Sequence, residues 1–312
     1  VPAGTDEPGT ATGSSQGMDS PTTPPPVRST ILEVPGATLT YDVRGDLGDG
    51  HRPLFLIGSP MDASGFTTLA SFFTDRPVVT YDPRGCARST KDDPGTPSTP
   101  EEHADDVRRV VENLGTGPVD LFASSGGAVN ALAVVAHHPE VVSTVVAHEP
   151  PALPVLPDAE AALAATRDVH ETYQHAGLGP AMAKFIALTS HRGPVGPDYP
   201  DGAAPDPQAY GLPTQDDGDR TDPLLGQNLV SCCSYAPDTD ALREAPVRLV
   251  VAVGEESGQE IAGRAGRALA QRLGVAPAVF PGGHAGFLGG EYGMQGQPEP
   301  FARRLREVLD EV

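Results

Sequence analysis

Short apolar runs alternate with helix-like stretches along most of this chain. The apolar runs are Ile31–Val34, Thr38–Val43, Leu54–Ile57, Val78–Tyr81, Val119–Ala123, Val141–Ala147, Val247–Val253 and Ala278–Phe280. Each reads as a strand. Strands that alternate with helical stretches predict an α/β fold whose mostly parallel eight-stranded sheet has helices on both faces. The first two runs predict an antiparallel hairpin at one edge. A helix is expected from Pro100: Thr99 can cap it, proline fits its first position, and Glu102 completes a capping box. Between the sixth and seventh runs lies an unusual region, about residues 150–240. Ala159–Tyr173 and Pro180–Leu188 look helical there, and Gly193–Asp222, dense in Pro, Gly and Asp, reads as an irregular loop.

The fifth run leads directly into Ala123-Ser124-Ser125-Gly126-Gly127, and an Ala-rich helical stretch to His138 follows. A strand that turns sharply into a helix around a serine is a nucleophile elbow. Strand and helix approach closely there, so the residues two before and two after the nucleophile must be small. Ser125 satisfies this rule with Ala123 and Gly127; Ser124 would place Phe122 in the clash. A serine nucleophile needs a base. Pro281-Gly282-Gly283-His284-Ala285-Gly286-Phe287 supplies one on a Gly-rich loop after the last strand, where a site forms at the carboxyl ends of parallel strands. The remaining histidines lie in helical or polar contexts, apart from His148, which adjoins a candidate acid.

These pieces in this order resemble the α/β-hydrolase fold superfamily, in its serine esterase and haloperoxidase-like branch of actinobacterial type. The resemblance runs from about Ser29 to Val312. It is carried by Ile57-Gly58-Ser59-Pro60, Tyr81-Asp82-Pro83-Arg84-Gly85-Cys86-Ala87-Arg88-Ser89, the elbow, Ala147-His148-Glu149-Pro150-Pro151, Val253-Gly254-Glu255-Glu256-Ser257 and the Gly-Gly-His loop. It implies a core of residues 29–149 and 241–312, with a lid inserted at 150–240. It also implies a third catalytic residue, an acid, most often three residues past a glycine after the seventh strand. Ser257 stands there and cannot serve. Glu149 is then the expected acid, as in relatives that carry it after the sixth strand; Glu256 and Glu255 are the alternatives. The oxyanion hole is expected from the amides of Gly126 and Ser59. Pro60 has no N–H, Met61 is the fallback donor, and Asp62 is expected to cap its loop.

Composition narrows the partners. The net charge of −21 disfavours nucleic acid and anionic membranes, and no apolar run approaches the ~18 residues of a spanning helix. Cys86, Cys232 and Cys233 form neither a disulfide framework nor a zinc pattern. No metal or organic cofactor is implied. A cytoplasmic location fits the cysteines; the start at Val1 leaves processing, and so secretion, open. Residues 1–28 are Pro-, Gly-, Ser- and Thr-rich and are expected to be a disordered tail.

The expected activity is cleavage of a small-molecule carboxylic ester, thioester or lactone through an acyl-enzyme on Ser125. Two alternatives stand beside it. One is a lyase or cofactor-free oxidative enzyme that uses the same Ser–His pair for proton transfer. The other is a non-catalytic small-molecule binding protein. Acyl group, alcohol group and oligomeric state are not specified by these residues.

Overall fold

The computed structural model describes residues 27–311. The expected tail lies outside them up to residue 26, and Val27 and Arg28 already belong to the first strand.

Among the described residues eight main strands build the sheet: β1 (Val27–Val34), β2 (Ala37–Arg44), β3 (Leu54–Ile57), β4 (Val78–Asp82), β5 (Val119–Ser124), β6 (Val142–His148), β7 (Arg248–Gly254) and β8 (Ala278–Phe280). Their spatial order is β1-β2-β4-β3-β5-β6-β7-β8, and the two-residue strand Thr90–Lys91 pairs alongside β2. β1 and β2 form the antiparallel hairpin, and β2 also runs antiparallel to β4. From β4 through β3 to β8 every pairing is parallel.

Strand alternation builds two cores. Successive side chains point to opposite faces, so Phe55, Ile57, Leu121 and Ala123 enter one core while Leu54, Leu56 and Phe122 enter the other. The first is closed by α2 (Pro100–Leu114), α3 (Gly126–His137) and α8 (Ile261–Leu273). The second is closed by α1 (Thr67–Ser71) and α9 (Pro298–Asp310). α2 starts with the expected capping box, Thr99 with Glu102, and ends at Gly115 in a left-handed conformation.

The stretch after β4 is a structural knot. Buried Arg84 holds Asp106 through two contacts of 2.7 Å. Asp82 accepts the Ala63 amide at 3.0 Å, which ties the loop after β3 to the end of β4. The segment between β6 and β7 carries α4 (Ala159–Ala176), α5 (Leu178–Thr189), α6 (Leu229–Cys233) and α7 (Thr239–Glu244). The expected boundary at residue 240 falls inside α7.

Candidate active site

Ser125 stands between β5 and α3 with φ 57 and ψ −127, a left-handed backbone that a side chain rarely adopts. Small neighbours permit the turn. A Cβ on Gly127 would lie 2.7 Å from the Ile57 carbonyl oxygen, and one on Gly126 would run into the carbonyl of Ser59. The helix therefore starts hard against the loop after β3. As the first residue of α3, Gly126 has an amide with no intrahelical partner.

Ser59, Gly126, Ser125 and His284 line one cavity of about 480 Å³ at the carboxyl ends of the parallel strands. Ser59 borders this cavity. Met61 instead folds its side chain back against Gly58 and Gly65. Asp62 caps the turn Ala63–Phe66 by accepting the Ser64 amide at 2.8 Å, the loop role expected of it.

Of the three candidate acids, the structure brings Glu149 to His284. Its Oε2 lies 2.7 Å from His284 Nδ1. Its Oε1 accepts the Gly254 amide at 2.8 Å, and the side chain is fully buried. Burial by itself would push this carboxyl up. The hydrogen bond from His284 leads the effects that outweigh burial and hold it down at about 2, so it is ionised across the neutral range. Glu149 also takes a left-handed backbone, φ 50, directly before Pro150. Glu256 turns elsewhere: its Oε1 accepts from Gln297 at 2.8 Å, and both Glu255 and Glu256 are exposed. Ser257 is buried beside Glu149: a Cβ on Gly263 of α8 would lie 3.0 Å from Ser257 Cβ and 3.3 Å from Glu149 Oε1.

Two features escaped the sequence reading: a glycine pair in α8, and the surroundings of His148, which was noted there only as the neighbour of a candidate acid. Gly263 and Gly266 let α8 approach the acid; a Cβ on Gly266 would lie 3.0 Å from Val253 and 3.7 Å from the Glu149 Cα. Two glycines inside an otherwise good helix are costly, and that cost was a readable signal of close packing. The other is His148. It is fully buried, sits among Phe122, Phe280, Phe287 and Phe301, and stacks 6.2 Å from His284. Its Nδ1 lies 3.2 Å from Ser124 Oγ. Burial drives its pKa down to about 4, so it is neutral.

Residues 54–191 match the model of the alpha/beta hydrolase fold family. The chain is 28% identical over 294 residues to the uncharacterized hydrolase YraK of Bacillus subtilis (strain 168), covering 91% of this chain and 97% of that protein. Its structure is similar to that of a thermophilic esterase from Thermogutta terrifontis, with TM-score 0.63 and 19% identity over 90% of this chain and 98% of that one. It is also similar to the enol-lactonase of Burkholderia xenovorans LB400, with TM-score 0.62 and 17% identity over 90% of this chain and 100% of that one. Among the described residues no helix is long and apolar enough to cross a membrane.

Proposed function

We propose, from the α/β-hydrolase fold of this chain, that it is a serine hydrolase that cleaves a carboxylic ester, thioester or lactone of a small molecule. The observation that carries this reading is the 2.7 Å contact between His284 Nδ1 and a buried, ionised Glu149. That contact occupies one ring nitrogen and leaves Nε2 for the cavity that His284 shares with Ser125. The uncharacterized hydrolase from Bacillus, and the esterase and lactonase of like fold, support the reaction class and leave the substrate open.

In this reading Ser125 Oγ attacks the substrate carbonyl as His284 Nε2 takes its proton. Glu149 orients the imidazole and stabilises the imidazolium. The amides of Gly126 and Ser59 hold the tetrahedral oxyanion, each donor contributing about 3 kcal/mol. The imidazolium protonates the leaving alcohol or thiol. Water, deprotonated by His284, then cleaves the acyl-enzyme and regenerates Ser125. Segment 150–240 acts as the lid, since its Leu153, Phe185, Leu224 and Leu229 line the cavity that the elbow borders.

The test is a fluorophosphonate probe followed by peptide mapping, together with mass detection of an acyl-enzyme from an activated ester. A label on Ser125 and an acyl adduct on the same residue are expected. A label with no acyl adduct and no ester turnover would favour the acid–base alternatives. Absence of labelling would favour a binding protein.

A further inference from the structure

The lining of the cavity carries an inference about the substrate, which rests on the serine hydrolase reading. Leucine, isoleucine, phenylalanine and methionine side chains dominate the walls. Several polar residues that also line it have their groups committed to the protein itself. Thr166 Oγ1 donates to the Ala162 carbonyl at 2.9 Å, and Thr189 Oγ1 to the Phe185 carbonyl at 3.0 Å, each within its own helix. The Asn228 amide donates to the Pro223 carbonyl, and its oxygen lies 2.7 Å from His103 Nε2. Outside Ser125 and His284, the polar side chains of the lining that hold no hydrogen bond among the described residues are the Ser59 hydroxyl, the exposed Ser190 and the carboxylate of Glu260.

Among the described residues no lysine or arginine lines the cavity. Glu260, whose side chain is 32% exposed, stands before α8. Its nearest cation is Arg192, 3.8 Å away, 61% exposed and outside the lining. A surface pair of that length does little to neutralise the carboxylate. A carboxylate on a substrate would therefore lose its water among hydrocarbon side chains, meet no cation, and face a like charge. A hydrocarbon group meets none of these costs, and the volume suits a compact ligand.

We propose that the site takes uncharged, hydrocarbon-rich esters, and that Glu260 is a specificity-determining residue that excludes carboxylate-bearing ones. The test uses two esters that differ by one charge: the mono-p-nitrophenyl ester of suberic acid, with its carboxylate free but too distant to close an anhydride, and the same ester with that carboxylate methylated. At pH 7.5 the methylated ester should show a kcat/KM about a hundredfold higher. Glu260→Gln should narrow the ratio about tenfold, and Glu260→Asp, which keeps the charge, should preserve it. Equal rates on the two esters in the wild type overturn the proposal. So does a ratio that stays fixed in Glu260→Gln, since a residue acting only on packing would move both esters together. Fluorophosphonate labelling of Ser125 is read in parallel. If Ser125 is labelled and neither ester turns over, the substrate class is wrong while the serine hydrolase reading survives; if labelling also fails, both fall.

Discussion

Two serine–histidine combinations lie side by side in this molecule, Ser124 hydrogen-bonded to His148 and Ser125 sharing a cavity with His284, and their difference shows what makes the second a candidate for chemistry. Ser124 and His148 are register partners at the ends of β5 and β6, both buried, one against the Phe122–Phe301 cluster. Ser125 and His284 border the cavity, and the His284 side chain is 40% exposed. Each serine is one residue from the other. Strand geometry separates them: Ser124 is the last residue of β5, and the chain turns into α3 at Ser125. The carboxylate completes the contrast. Glu149 follows His148 directly in the chain, yet its side chain reaches His284. The buried pair is neutral and, among the described residues, has no carboxylate hydrogen-bonded to it. The open pair has an ionised partner and access to a ligand.

The largest expected effect separates the serines. Ser125→Ala should lower ester turnover about 10⁴-fold or more and abolish fluorophosphonate labelling, with the fold intact by circular dichroism. A label that maps to Ser124 would reverse the assignment of the two pairs. Next comes the carboxylate. Glu149→Gln should lower kcat by about 10³–10⁴-fold, because an amide cannot stabilise an imidazolium and can select the wrong tautomer. Glu255→Gln and Glu256→Gln should stay within about threefold, as exposed loop changes do. Steady-state kinetics on the three variants checks this, and a large loss in Glu256→Gln would move the acid to the loop after β7.

A third effect appears in stability. The folded pKa of His148, about 4, lies below the ordinary value of 6.5. The folded state therefore resists protonation, and wild-type stability should fall by roughly 3 kcal/mol from this group as pH drops from 6.5 to 4. His148→Leu lacks that loss. Urea denaturation at pH 7 and pH 4 should show the variant gaining on the wild type by this amount, and an unchanged gap would mean that His148 is not held neutral. Glu149 has the opposite dependence: its depressed pKa contributes stability above about pH 4.5 that is lost as pH falls toward 2. The smallest effect is Ser124→Ala. It removes one buried side-chain hydrogen bond, so stability should fall by about 1 kcal/mol and turnover should stay within a few-fold.

Much of this molecule is legible in its residues. The eight apolar runs correspond to the eight strands, most within a residue or two at each end. β1 is the exception and begins at Val27, ahead of the expected Ile31. Its outer positions Val27 and Ile31 are exposed, so no burial pattern announced its start. The capping box at Thr99 is local chemistry and stands as expected. The Ser125 turn follows from short-range sterics, because its small neighbours are adjacent in sequence. The environment of His148 was not legible, since the phenylalanines around it come from four separate segments.

The sequence by itself determined the strand–helix alternation, the elbow at Ser125 and the glycine-rich loop bearing His284. These depend on periodicity and on steric limits between near neighbours, which act over a few residues. The tertiary structure decided among the three carboxylates the sequence left open, bringing the expected Glu149 to the imidazole, and decided which polar side chains remain free to meet a ligand. Glu149 and His284 are 135 residues apart, and Ser257 stands where an acid is most often found. Only parallel packing of β6, β7 and β8, with α8 drawn in on its glycines, brings that carboxylate under that ring while Gln297 takes up Glu256. The local pattern at Ala147–Pro151 made Glu149 the expected acid and left two alternatives; the choice among them depends on where whole elements come to rest.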